Sequence, residues 1–318
     1  MSVKVYRDGG IVIEVDNRRV LVDPVSLPRR KPDVVFVSHA HSDHARLRPL
    51  RVLSKVPKIL SRATKEVLDP RGTLTNVVFA EDASSVEVAG LTLETYEAGH
   101  VVGSLQLAVN ASTRVVYTGD FCLERRLVLR PARILRADAL IIDATYGHPR
   151  YSFPPRPELY RRLLRTLEAA SSGGVLFAAR PLGTGQELTA VISLVAKLTP
   201  FVARPVGAFN RLYERYGEYL GSYVIHPAPP RDSVAVVPLN DHPAGAVVCT
   251  GWAVAEGVPL SSHADFDDVV RYAVESRAQT VFTFSAHAKY LAAFLRREYG
   301  VEAHPVESDA ASAPHNIF

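Results

Sequence analysis

The feature that most constrains this chain is the hexapeptide His39-Ala40-His41-Ser42-Asp43-His44, which directly follows the unbroken apolar run 34–37. A short continuous apolar run of that kind reads as a buried strand. In extended backbone, residues two apart face the same way, so His39 and His41 present their imidazoles to one metal ion. Where the chain turns toward a helix, Asp43 and His44 are placed to serve a second. A polar surface turn has the same residue types, so the reading depends on ligands from elsewhere in the chain. Two later strand ends offer them: His100 after Ala98-Gly99, and Asp120 after Thr118-Gly119, each with a glycine where the backbone must turn tightly. Asp120 is the natural bridge, because a carboxylate has two oxygens and spans two metals about 3.5–4 Å apart. Asp23, in LVDP, reads on its own as a turn carboxylate.

The rest of the chain is compatible with an enzyme built around such a site. Its 318 residues, 47% hydrophobic and 22% charged with Gly 19 and Pro 22, exclude collagen-like and disordered classes. The length points to about two domains and a core that needs no staple, so a metal here is catalytic rather than structural. Cys122 and Cys249 lie far apart in sequence and fit buried, reduced thiols rather than a zinc ribbon or a disulfide framework. There is no apolar run of about 18 residues and no apolar leader-like stretch at the start, so the expectation is a cytoplasmic protein without a membrane partner. The net charge is only +4, and its positive side is Arg-heavy. Arginine suits bidentate phosphate recognition, although genome composition produces the same bias.

Along the chain, strands are expected over 3–5, 11–15, 19–22, 34–37, 86–88, 91–96, 105–109, 115–117 and 139–142. From about Pro149 helix and strand alternate. Pro154, Pro155 and Pro157 precede Leu159, Leu163 and Leu167 at helical spacing, with 171–174 ending that helix. A strand over 175–178 follows, and Thr184 with Glu187 three residues later is a capping-box signature for the next helix. A helix over 211–220, a loop over 226–232 and strands over 234–237 and 247–249 come next. The chain then runs through a helix near 264–276, a strand over 280–284, a helix to Tyr299, a strand over 301–306 and a polar tail from Ser308.

Together these residues resemble the metallo-β-lactamase fold family, whose motifs correspond to Asp23, HAHSDH, His100 and Asp120. The resemblance narrows to the β-CASP nucleases through Asp143 in IIDATYG, His263 in SSHAD and PLGTGQE at 181–187. TYGHPRYSFPP at 145–155 and CTGWAVAEGVPLSSHAD at 249–265 look closest to the DNA-ligase-associated exonucleases and to archaeal proteins named after mRNA 3′-end processing factors. The resemblance implies an α/β architecture: an αββα sandwich from 1–155 and 249–318 with a β-CASP cassette over 156–248 between. It also implies a ligand set: His39, His41, His100 and Asp120 on one metal, Asp43, His44 and the shared Asp120 on the other. Asp23 supports the site in that family without binding metal. A third motif of the RNA-cleaving branch, a histidine after a late strand, falls on Ser285 by gap-free alignment, with His287 two residues late. His287 is therefore a ligand, a substrate contact or a helix-start histidine.

The chemistry implied is hydrolysis of a phosphodiester by a metal-activated water, with Asp43, Asp120, Asp143 and His263 as catalytic residues. His263 donates a proton to the leaving 3′-oxygen or positions the phosphate, with Asp143 hydrogen-bonded to it. Zinc suits the nitrogen and oxygen ligands best, and manganese is the alternative. Thr184, Gly185 and Gln186 are candidate substrate contacts, since helix N-termini bind phosphate, and plain capping is the competing reading. Arg125, Arg126, Arg161, Arg162 and Arg165 either steer a polyanion or form a solvated helix face. Trp252 and Tyr146 either stack on bases or pack. The favoured function is a DNA exonuclease in repair, with a DNA ligase or helicase as an associated protein. An RNA-processing nuclease, a non-catalytic nucleic-acid-binding scaffold and a small-ester hydrolase are the alternatives.

Overall fold

The computed structural model describes residues 3–170 and 173–307. Two expectations fall on the remainder: the helix end at 171–174 lies partly outside the described residues, and the tail from Ser308 wholly so. The chain opens with β1 (Lys4–Arg7), β2 (Ile11–Val15), β3 (Arg18–Val22) and β4 (Val34–Phe36), then α1 (Leu47–Val52), β5 (Lys58–Leu60), α2 (Arg62–Leu68) and β6 (Val77–Phe79). These six strands form one sheet in sequence order, antiparallel at first and parallel from β3 onward. A second sheet follows with β7 (Ser84–Val88), β8 (Leu91–Glu97), β9 (Leu105–Asn110), β10 (Arg114–Tyr117) and β11 (Ala139–Asp143). The chain then leaves it through α3 (Arg156–Ala169).

A third sheet is wholly parallel, ordered β14-β13-β15-β12-β16, from β12 (Val175–Ala179), β13 (Phe201–Ala203), β14 (Val224–His226), β15 (Val234–Pro238) and β16 (Val247–Cys249). Within it lie α4 (Thr184–Ala190), extended by a π-helical turn over Val191–Val195, and α5 (Arg204–Arg215). After α6 (Phe266–Glu275) the chain returns to the second sheet with β17 (Thr280–Phe284), α7 (Ala288–Tyr299) and β18 (Glu302–Pro305). Among the described residues no helix is long and apolar enough to cross a membrane.

Period-2 alternation explains the layering. Val34 and Phe36 face the inter-sheet core with Ile13, Leu107 and Ile141, while Val35 and Val37 face the opposite side with Leu50 of α1. Likewise Leu140 and Ile142 turn outward onto Val269 of α6 and Leu291 of α7. Burial of each such side chain contributes about 1.5–3 kcal/mol, so a one-residue register slip is heavily disfavoured. The result is an α/β architecture of the αββα sandwich type with an α/β unit inserted between its two parts. Strands β3, β4, β8, β10, β11 and β17 all deliver a polar residue from their C-terminal ends.

Several local expectations shift. The helix expected over 211–220 is Arg204–Arg215: Pro205 occupies its first turn, and Gly217, at φ +92°, takes the chain out of helical backbone. Leu220, which extended the apparent periodicity, is buried from a non-helical segment. The three-residue strands β5 and β6 and the short helices α1 and α2 have too few residues to carry a period, and their pairing partners define them. Cys122 and Cys249 are buried free thiols.

The inserted unit is fixed to the sandwich by apolar contacts among Ala63, Val101, Leu182, Leu212 and Tyr213, and by a buried charge network. Glu187 of α4 is fully buried and lies 3.5 Å from the Arg126 guanidinium and 3.4 Å from that of Arg156, with the Tyr160 hydroxyl donating to it at 2.6 Å. Arg126 also donates to the carbonyls of Gly99 and His100. It is therefore no steering residue for a polyanion, since its charge is already neutralised inside the protein. Arg161 and Arg165, by contrast, lie exposed on α3 and Arg162 pairs with Glu158, the solvated-face arrangement. Replacing Glu187 by Ala leaves the buried Arg126 guanidinium without a carboxylate and Arg156 with Glu124 alone, and is expected to lower stability by about 3–5 kcal/mol. Arg161→Ala should change it by less than about 0.5 kcal/mol. Urea unfolding of both variants beside the parent checks the contrast.

Candidate metal centre

The centre is organised from behind by Asp23, at φ +51° just after β3. Its Oδ1 accepts the Ser38 N–H at 2.6 Å, and its Oδ2 accepts the Ser38 hydroxyl at 2.6 Å, the Tyr117 hydroxyl at 2.8 Å and His44 Nδ1–H at 2.7 Å. These bonds decide where the ring protons sit. Ser38 has one hydroxyl proton and gives it to the carboxylate, so at 2.9 Å it can only accept from His39 Nδ1. His39 Nε2 is then left with a lone pair. In the same way His41 Nε2–H donates to the Leu182 carbonyl at 3.1 Å, freeing Nδ1, and His100 Nδ1–H donates to the Ser262 carbonyl at 3.0 Å, freeing Nε2.

Those freed nitrogens converge. His41 Nδ1 is 3.1 Å from both His39 Nε2 and His100 Nε2, and Asp120 Oδ2 is 3.5 Å from His39 Nε2 and 3.6 Å from His100 Nε2. No proton remains to be shared between the nitrogens, so their lone pairs oppose one another unless a cation lies between. Ligands about 2.0–2.1 Å from one tetrahedral ion are about 3.4 Å apart, the spacing these atoms show. Two glycines make the convergence possible. Gly99 and Gly119 take φ +66° and +55°, and a Cβ at either would come within 2.8 Å of its neighbours. The backbone of His100 and Asp120 can bend into the centre for that reason.

All four side chains are buried, and the charges follow from burial. Burial lowers all three histidines most, neighbouring imidazoles lower His39 and His100 further and the Arg180 guanidinium does so for His41, all against Asp120: His39 and His100 are held well below the ordinary imidazole range and His41 is pushed down to about 3, so all three stay neutral. Burial opposes the charge on Asp120, yet the His44 and His263 imidazoles hold its carboxyl well below the usual carboxylate range. His44 Nε2 is 3.1 Å from Asp120 Oδ1 without hydrogen-bond alignment, which leaves Oδ1 a buried oxygen with no hydrogen-bond partner. That orphaned oxygen, with the N₃O donor set beside it, fits a divalent metal ion.

A second group adjoins the first. His263 donates Nδ1–H to Asp143 Oδ2 at 3.2 Å and turns Nε2 to within 3.6 Å of Asp120 Oδ2. Asp143 Oδ1 is held by the N–H and hydroxyl of Thr145 at 3.0 and 2.8 Å. Burial depresses the His263 imidazole, but Asp120 and Asp143 outweigh it and raise it above its ordinary value. A cleft of about 630 Å³ opens over both groups, walled on one side by Asp23, Tyr117, Asp120 and His263 and on the other by Arg180, Thr184 and Asn240 of the inserted unit.

Other residues singled out in the sequence are placed differently. Asp43 lines the cleft but is exposed, its carboxylate 3.1 Å from Arg180, and it lies outside the buried donor groups. His287 lies outside the donor groups: its Nδ1–H donates to the Thr145 carbonyl at 2.8 Å and its ring packs against Tyr151, while Ser285, at φ +79°, lines the cleft. Thr184 is the first residue of α4 rather than its cap, because Gly183 holds that position. Gln186 accepts the Gly183 N–H and donates to Pro181, Val206 and Asn210, and Gly185 N–H donates to the Arg180 carbonyl. Gly185 and Gln186 are buried and committed to bonds inside the protein and lie outside the cleft lining, whereas Thr184 is part of it. Ser38, Tyr117, Arg180 and the carbonyls of Leu182 and Ser262 carried no sequence signal, since only the fold brings them to the centre.

Comparison with known proteins agrees with this geometry. Residues 5–125 match the family described as "Beta-lactamase superfamily domain". A probable DNA ligase of Opitutus terrae is 30% identical over 301 residues, covering 86% of this chain and 29% of the ligase. An RNase J-like protein of Methanocaldococcus jannaschii is 28% identical over 214 residues, 58% of this chain and 51% of that protein. The RNase aCSPSF2 of Saccharolobus solfataricus is 26% identical over 185 residues, 49% and 37% respectively. The chain thus spans about half or less of each of these relatives. With the histidine and aspartate set at its strand ends and a parallel α/β unit interrupting the sandwich, the chain carries a beta-lactamase superfamily domain and is similar to nucleases of the β-CASP metallo-β-lactamase group.

Proposed function

We propose that this chain is a divalent-metal-dependent nuclease that hydrolyses phosphodiester bonds, acting as an exonuclease on DNA. The observation that carries the reading is the junction of the two buried groups on Asp120. One side is the N₃O donor set, and the other is the His263–Asp143 pair, 3.6 Å from the same carboxylate oxygen at the floor of the cleft. His39, His41, His100 and Asp120 would hold one ion, and His44 and Asp120, joined by Asp43 when it leaves Arg180, a second. The bound ions, zinc by the nitrogen-rich set with manganese as the alternative, would supply Lewis acidity and an activated water. The chain's own residues do the rest. Asp143 fixes the Nδ1 proton of His263, and the charged imidazole then delivers its Nε2 proton to the oxygen leaving phosphorus as the P–O bond breaks. Water supplies the oxygen that replaces it, so the products are a phosphomonoester and a free hydroxyl.

DNA is preferred over RNA on one structural ground: the RNA-cleaving branch resembled here requires a further histidine on the second metal, and His287 is turned onto the Thr145 carbonyl instead. The similarity to part of a probable DNA ligase supports the same choice and suggests a ligase as an associated activity. We divide the chain accordingly into sandwich, 1–155 and 249–318, and cassette, 156–248, with the substrate lying between them.

Three outcomes are expected. Asp120→Asn abolishes cleavage of labelled single-stranded DNA, by at least about 10³-fold, with an unchanged circular dichroism spectrum. His100→Ala loses bound metal, read by elemental analysis of protein reconstituted with zinc or manganese after chelation. Asp143→Asn and His263→Ala retain metal but slow cleavage by about 10²–10⁴-fold. Matched DNA and RNA strands, labelled in turn at each end, identify the substrate and polarity on a gel. RNA-selective cleavage would overturn the DNA preference, and two bound metals with no cleavage of either strand would leave a scaffold or small-ester hydrolase.

A further inference from the structure

A row of aromatic rings leaves the mouth of the cleft and ends on the surface. Trp252, 47% exposed, lines the cleft beside the metal centre. The His287 ring lies 6.0 Å beyond it at an interplanar angle of 33°, the His148 ring 5.8 Å further, and the Tyr290 ring 4.3 Å from His148 at 42°. Buried Tyr146 and Tyr151 back the row, 4.9 and 5.1 Å from Trp252. A cluster that existed only for packing would bury its largest rings, yet the two ends of this one, Trp252 and Tyr290, are exposed. The flanking charge is positive. The Arg150 guanidinium sits 4.6 Å over the Tyr151 ring, Lys289 adjoins Tyr290, both are exposed, and neither forms an ion pair among the described residues.

We propose that this row is the track on which the bases of a single-stranded nucleic acid stack as the strand runs out from the metal centre, with Arg150 and Lys289 taking its phosphates. The inference rests on the nuclease reading and adds the form of the substrate. Bases stack on exposed aromatic rings whatever their identity, because every base has a π-face, whereas duplex bases are already stacked and paired. The track therefore specifies strandedness rather than sequence. It also extends the footprint beyond the scissile bond, so it matters to long strands and not to a dinucleotide.

The test uses the metal-loaded chain. With one tryptophan beside 13 tyrosines, emission excited at the red edge of indole absorption, where tyrosine does not absorb, reports on Trp252 alone. On stopped-flow mixing, before turnover, a base-bearing strand of about 10 nucleotides should quench that emission, and an abasic strand of equal length should not. Tyr290→Ala should raise KM for the long strand about five- to tenfold, leave dinucleotide cleavage unchanged, and be rescued by Tyr290→Phe. Equal quenching by abasic and base-bearing strands, or an unchanged KM with no quenching in a protein that still cleaves, overturns the track and leaves the nuclease reading intact. Quenching by base-bearing strands alone in a protein that cleaves nothing supports the track and removes the nuclease reading.

Discussion

The carboxylate of Asp23 is the constraint on which the centre depends. It touches no other donor group directly except His44, yet by accepting four hydrogen bonds it removes every freedom from the protons behind the metal ligands. Ser38 must give its proton to Asp23 and accept from His39, which turns the His39 lone pair inward. The Tyr117 hydroxyl, drawn from the second sheet, ties the same carboxylate across the sandwich, so the two sheets and the ligand loop are registered at one atom. A ligand whose second nitrogen is already bonded is held in one tautomer and one orientation, which commonly accounts for tenfold or more of metal affinity. The burial that makes an unpaired carboxylate costly is what makes this one so restrictive.

Electrostatics then divides the histidines by neighbourhood rather than by chemistry. His39, His41 and His100 are packed against one another and stay neutral because burial disfavours a proton on all three, helped by neighbouring imidazoles at His39 and His100 and by Arg180 at His41. His44 and His263 are almost as deeply buried but stand beside carboxylates, Asp23 and Asp120 for one, Asp120 and Asp143 for the other, and both are raised instead. Three imidazoles around Asp120 are thus neutral and suited to ligation, His263 keeps the proton that acid chemistry needs, and His44 would give up its Nε2 proton to a second ion when one binds.

The centre was more legible in the sequence than the scaffold around it, for physical reasons. Metal ligation demands particular residue types at short spacings, so HAHSDH, His100 and Asp120 stand out from a single chain. Strands with full alternation, such as 91–96, were equally plain. Three-residue strands such as Lys58–Leu60 carry no period and exist only through their neighbours. The helix at Arg204–Arg215 was misplaced because Leu220 prolonged its apolar pattern from a loop. The supporting carbonyls of Leu182 and Ser262 were invisible in principle, since a backbone acceptor has no residue identity. Gly185 and Gln186 misled for the opposite reason: a conspicuous motif was built for internal hydrogen bonds rather than for the cleft.

The inserted unit is therefore more than a wall of the cleft. The Leu182 carbonyl, at the end of a turn leading into α4, fixes the proton of His41 and so decides which nitrogen faces the metal. Glu187, one helical turn on, holds Arg126, and Arg126 in turn grips the carbonyls of Gly99 and His100. Arg180 from the same segment occupies Asp43. Three of the groups around the centre thus take their orientation or charge balance from residues 180–187, contributed by the insertion. Coupling of this kind makes the first metal position a property of sandwich and insertion together. The hexapeptide on an isolated sandwich would keep its backbone path, but His41 would lose the acceptor that selects its tautomer, and the loop carrying His100 would lose its clamp.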